Sequence, residues 1–132
     1  MATVTHLNPQ NLPRNPAFSQ GVRVDGGAST IYVGGQNAVD AAGEIVGDDI
    51  ATQTTQALRN LERVLAEGRA GLEHVVSWTI SVVAGQDLRA AVGAFAAVWG
   101  SRGEPPAISV TIVAGLANPA FLVEISAIAV TG

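Results

Sequence analysis

Val75-Val76-Ser77-Trp78-Thr79-Ile80-Ser81-Val82-Val83 alternates Val76, Trp78, Ile80 and Val82 with Ser77, Thr79 and Ser81. A period of two marks a strand with one face turned to a core. Immediately downstream, Leu88, Ala91, Val92, Phe95, Val98 and Trp99 recur at helical spacing. Asp87 stands where it can cap that helix, and Gly100 to Pro106 stops it. Ala107 to Val113 and Phe121 to Val130 read as two further strands. A strand, a helix and strands in this order call for a crossover over a sheet, with the helix laid on one face.

Upstream, Ile50, Thr54, Ala57, Leu58, Leu61, Val64 and Leu65 form the stripe of a longer helix from Asp49 to Glu67. Asp48 or Asp49 can accept the free N–H groups of its first turn, and Gly68 suits a left-handed closing residue. Gly21 to Asp25 and Thr30 to Gly35 read as strands, with Gly26, Gly27 and Ala28 between them at hairpin length. Residues 1–17 contain Pro9, Pro13 and Pro16 and are expected to be an irregular lead-in. The predicted order is ββαβαββ, a single α+β domain over residues 1–132 with both helices on one face of a mixed sheet.

Two helices cover only one face of such a sheet. The other face carries Val, Ile, Ala, Ser and Thr rather than charge, so it calls for a partner. In a chain of 132 residues the economical partner is another copy, and a homo-oligomer is expected. Hydrophobic residues make up 48% of the chain, enough for one sizeable core. With no cysteine, disulfides, thiolate metal ligation and a cysteine nucleophile are excluded. The net charge is -4, and the seven basic residues are all arginines, scattered along the chain. Nucleic-acid binding draws on clustered positive charge, so no nucleic-acid partner is expected. The first twenty residues lack the apolar run of a signal peptide and no stretch reaches membrane-spanning length, which predicts a cytoplasmic protein with no membrane partner.

Several segments, in order, carry a resemblance that covers nearly the whole chain beyond residue 15. They are Pro16-Ala17-Phe18-Ser19-Gln20, Tyr32-Val33-Gly34-Gly35-Gln36, Gln56 with Asn60 and Leu61, Pro106-Ala107-Ile108-Ser109-Val110, and Val123-Glu124-Ile125-Ser126-Ala127-Ile128-Ala129. The chain resembles the RidA/YjgF/UK114 family. That resemblance implies a chorismate-mutase-like fold, a homotrimer, small-molecule pockets between subunits, and hydrolysis of 2-imino or 2-enamino acids without metal or cofactor. It implies a ligand-contacting turn at Gly35 and Gln36 and a water-positioning glutamate at Glu124. The family's carboxylate-binding arginine falls on Ile108, and its pocket tyrosine falls on Phe18. Isoleucine offers neither charge nor donor to a carboxylate, so the expected substrate is a more apolar imine, enamine or related metabolite rather than a standard 2-imino acid.

Read from the residues alone, each candidate also has an ordinary role. Glu124 sits mid-strand among apolar neighbours, where a carboxylate needs partners or a task. Gly34 and Gly35 suit a close ligand approach, and equally a bulge. Ser109 can donate to a ligand or rest at a surface, and no histidine or acid is placed to make it a nucleophile. His6 and His74 read as solvated, which with no cysteine leaves no transition-metal site. Arg14 and Arg102 are near enough in sequence to Phe18 and Ile108 to enter a pocket, but exposed arginines are the preferred reading. Three function classes stay open: a cofactor-independent hydrolase, a non-catalytic trimer that binds a metabolite or protein, and an RNA-cleaving or translation-inhibiting protein, the last disfavoured by the acidic balance.

Overall fold

The computed structural model describes residues 3–10, 12, 16, 17, 19 and 21–132. Strands β1 (Thr3–Leu7), β2 (Gly21–Asp25) and β3 (Ser29–Gln36) precede helix α1 (Ile50–Glu67). A single 3-10 turn (Leu72–His74) then leads into β4 (Val75–Val83), α2 (Leu88–Trp99), β5 (Ala107–Val113) and β6 (Val123–Thr131). The main sheet has the order β3-β6-β4-β5, with β4 and β5 parallel and the other neighbours antiparallel. This is the α+β fold expected, with both helices packed against a mixed sheet.

The alternation in β4 does what its pattern predicts. Trp78, Ile80 and Val82 are buried and Thr79 is exposed. A register shift between Val75 and Ser77 changes the parity at the start of the strand, so Val75 rather than Val76 enters the core. Across the sheet, Val33, Val123, Ile125, Ala127 and Ala129 join this face, and α1 closes it with Leu58, Leu61 and Leu65. Trp78 meets the α2 rings edge-on, with centroids 5.0 Å from Phe95 and 6.4 Å from Trp99.

Three local expectations are corrected. The lead-in is not irregular throughout, because the β-branched run Thr3-Val4-Thr5 forms β1, which pairs antiparallel with β2 from Thr3↔Asp25 to Leu7↔Gly21. As β2 pairs with β1 in a sheet of its own, Gly26 to Ala28 connect β2 to β3 without closing a hairpin between them. Helix α1 closes with Arg69, not Gly68, in the left-handed region (φ 61°), while the Ala70 N–H donates to the Leu65 carbonyl. Gly68 has a different task, since a Cβ there would come within 2.9 Å of the Ile31 side chain on β3. Asp87 caps α2 as predicted, accepting from the N–H groups of Arg89 and Ala90.

Candidate functional site

The sheet distributes the candidate residues over two faces. On the face away from the helices, register places Glu124 beside Ser81, with Thr111 beyond it. The adjacent row is Ser126, Thr79 and Ser109. Ser109 and Glu124 therefore share a face, two strands and one row apart. Gly35 reaches Glu124 from the other side: a Cβ on Gly35 would lie 2.6 Å from the Glu124 Cδ. A larger residue at position 35 would require the half-buried Glu124 side chain to shift from this position.

Side-chain amides, Gln53 buried and the others half-buried, hold these segments in place. The Asn37 side chain donates to the Val123 carbonyl at 3.1 Å. Gln53 donates to the Gly47 and Ala120 carbonyls and accepts from the Leu122 N–H, fixing the approach to β6 just before Glu124. Gln56 and Asn60, both part of the resemblance, donate to the carbonyls of Asn37 and Val39 and so secure the loop that follows the Gly35 turn. They act on the site through backbone placement. Gln36 lies with Val39, Asp40, Asn60 and Arg63 around a shallow depression, and its amide donates to the Gly34 carbonyl at 3.1 Å.

Ile108 is on the opposite face from Glu124. It is registered with Trp78 in the parallel β4–β5 pair and lines a cavity of about 510 Å³ between the sheet and α2. Val92, Phe95, Trp99, Val110 and Pro106 share the lining, and among the described residues around the cavity there is no charged side chain. Val92 and Val110, both more than half exposed, stand at the cavity's rim. Two deeply buried polar atoms belong to lining residues and have no hydrogen-bond partner, Thr54 Oγ1 and Trp78 Nε1. Leaving such a group unpaired costs on the order of 1–3 kcal/mol.

The remaining candidates have structural tasks or fall elsewhere. Arg102 does not enter the cavity. Its guanidinium donates to the Val98 and Trp99 carbonyls at the end of α2 and lies 3.5 Å from Glu62 on α1. Phe18 and Arg14 lie outside the described residues. His6 is held rather than free: its Nδ1 is 2.8 Å from the Ser19 Oγ, and Ser19 donates to the Pro105 carbonyl. With its proton committed to a carbonyl, Ser19 is a tie between the lead-in and β5, not a nucleophile. His74 accepts from the Gly71 N–H through Nδ1.

Sequence reasoning assigned Thr54 and Trp78 to the core and did not see the cavity they share with Ile108. One signal was available. Alternation along β5 puts Ile108, Val110 and Ile112 on one side and Ser109 on the other, so Ile108 and Ser109 cannot face the same ligand within one chain.

The family model described as Endoribonuclease L-PSP matches residues 10–131. The 2-iminobutanoate/2-iminopropanoate deaminase of Rattus norvegicus is 33% identical over 117 residues, which span 88% of this chain and 81% of the rat protein. The chain belongs to the RidA/YjgF/YER057c/UK114 family. Structures place this Rid-family chain in the same fold. It aligns with YyfB of Yersinia pestis, a protein of unknown function in the conserved Rid family, at a TM-score of 0.83 and 35% identity, covering 96% of this chain and 97% of YyfB. It aligns with the family member Rv2704 of Mycobacterium tuberculosis at 0.67 and 28%, covering 98% and 100%. Within this Rid-family chain, the residue that follows the Pro106-Ala107 pair is Ile108, set in an apolar cavity.

Proposed function

We propose that this Rid-family protein is a cofactor-independent hydrolase that releases ammonia from a small imine or enamine, and that its substrate is not a standard 2-imino acid. The observation that carries the reading is the position of Ile108 in a cavity whose lining, among the described residues, has no charged side chain. A carboxylate buried there would lose its hydration with no cation among the described residues to replace it, a penalty of several kcal/mol. The similarity to the rat deaminase supports the reaction class. In the proposed step, a water oriented by the Glu124 carboxylate adds to the carbon of the C=N bond. The resulting carbinolamine expels ammonia and leaves a carbonyl product. Backbone N–H groups near Gly35 and the Ser109 hydroxyl are suited to hold oxygen or nitrogen atoms at that stage.

Glu124 and Ile108 occupy opposite faces of one sheet, so the reading requires a homo-oligomer, taken as a trimer, in which Glu124 of one copy meets the Ile108 cavity of another. Two large side chains on the otherwise polar open face support this assembly, Tyr32 at 76% exposed and Ile128 at 37%. The test is ammonia release from freshly generated 2-aminoacrylate by the wild type, Ile108→Arg and Glu124→Ala. Little release is expected from the wild type, a gain from Ile108→Arg, and none from Glu124→Ala. Wild-type turnover equal to that of the rat deaminase would refute the role given to Ile108.

A further inference from the structure

We propose that Gln53 and Asn37 are positioning residues for Glu124, holding the strand that carries it at the separation from Gly35 that its water-orienting task requires. This rests on the proposed function in taking Glu124 as the group that orients water, and it names the side chains that keep it in place.

Helix α1 carries two stripes. The apolar one, with Leu58, Leu61 and Leu65, enters the core. Beside it Gln53, Gln56 and Asn60 stand at i, i+3 and i+7, so their amides project from one side of the helix. That stripe grips two segments of chain. Gln56 and Asn60 donate to the Val39 carbonyl, and Asn60 also to that of Asn37, just after β3. Gln53 takes the other segment, donating to the Ala120 carbonyl and accepting from the Leu122 N–H, each at 2.9 Å, just before β6. Asn37 then joins the two segments, because its amide donates to the Val123 carbonyl at 3.1 Å. Gly35 lies two residues before Asn37, and Glu124 directly follows Val123. The close approach of Gly35 to Glu124 is therefore bracketed by side-chain amides on both strands.

Gln53 has the chemistry that such a clamp needs. A glutamine carries two N–H donors and a carbonyl oxygen, so one side chain can serve three backbone groups at once. Only 1% exposed, it does so here, with the Gly47 carbonyl as the third partner at 3.1 Å. Leu122 is gripped from both ends, since its carbonyl accepts from the Val83 N–H of β4 at 3.0 Å. A methionine at position 53 would fill similar space and serve none of these groups, releasing the approach to β6 from α1. Neither Gln53 nor Asn37 lines the Ile108 cavity, so loosening them should disturb the chemical step and spare binding.

The test is ammonia release by the full chain from 2-aminoacrylamide generated in place, for the wild type, Gln53→Met and Asn37→Ala. Thr55→Val serves as the control, because the Thr55 hydroxyl donates within α1 to the Ala51 carbonyl. A displacement of about 1 Å can cost on the order of 10²-fold in rate, so Gln53→Met should lower kcat by about tenfold or more and Asn37→Ala several-fold, each with KM changed by less than about twofold. Thr55→Val should leave both constants unchanged. In ¹⁵N correlation spectra the Gly35 amide signal should move in Gln53→Met and in Asn37→Ala. An unchanged kcat in both variants, a loss carried by KM, an equal loss from Thr55→Val, or an unmoved Gly35 signal would overturn the proposal. If circular dichroism shows Gln53→Met to be unfolded, Asn37→Ala decides by the same two readouts. A wild type that releases no ammonia would sink the hydrolase reading alone, and the Gly35 signal would then decide whether the two amides set the position of Glu124.

Discussion

The two sides of strand β4 differ by one residue in sequence and by their whole chemistry. Trp78, Ile80 and Val82 face α2 and an apolar cavity, while Ser77, Thr79 and Ser81 face an open surface that also carries Ser109 and Glu124. The first side can select a ligand by shape and apolar contact. The second can orient water and donate to developing charge, but by itself has no pocket wall. The comparison teaches that Ile108 and Glu124 lie on faces that one chain cannot bring together, so on the proposed function assembly and substrate choice become one question.

The contrast can be broken most forcefully through stability. Trp78→Ala should cost about 3–5 kcal/mol in urea denaturation, because it removes a buried aromatic ring packed against Phe95 and Trp99. Thr79→Ala, one residue along and on the other face, should change stability by less than about 0.5 kcal/mol. Comparable losses would mean that the open face is as much a core as the helix side. A smaller effect is expected from Ile128→Asp, which places a charge in the middle of the open face. It should raise the subunit dissociation constant about tenfold or more, read by light scattering across a dilution series, with the far-ultraviolet circular dichroism unchanged. An unaltered mass profile would locate the subunit contact elsewhere. The smallest effect sharpens the cavity itself: Thr54→Val removes a buried hydroxyl that has no partner, so thermal unfolding should show stability unchanged or raised by up to about 1 kcal/mol. A clear loss would reveal a partner for that hydroxyl.

Elements whose pattern is set by their own burial were legible in the sequence. The alternation of β4, the stripe of α1 and the Asp87 cap follow from local rules that the fold obeys. The misses have tertiary causes. Thr3 to Leu7 reads as part of a proline-bearing lead-in, and only its pairing with β2 makes it a strand. Gly68 reads as a left-handed cap, whereas its need is for room against Ile31 and the positive φ passes to Arg69. The candidate residues could be named from the sequence, but their places in the fold could not. Glu124 and Gly35 meet, but Ile108 goes to the other face and Gln36 to a depression beside α1. Leu88 and Val92 fit a core stripe by spacing, yet both are exposed at the cavity rim, because nothing in the described chain covers that edge of α2. A hydroxyl left without a partner, such as that of Thr54, has no sequence signature at all.

The central claim is that Ile108 has turned the pocket from carboxylates to neutral molecules. It is tested most directly by the ratio of ammonia-release rates on 2-aminoacrylamide and 2-aminoacrylate, generated in place and measured for the wild type and for Ile108→Arg. A wild type that prefers the uncharged amide, with the preference reversed by Ile108→Arg, is the predicted result. A wild type that prefers the carboxylate, with or without the new arginine, would contradict it.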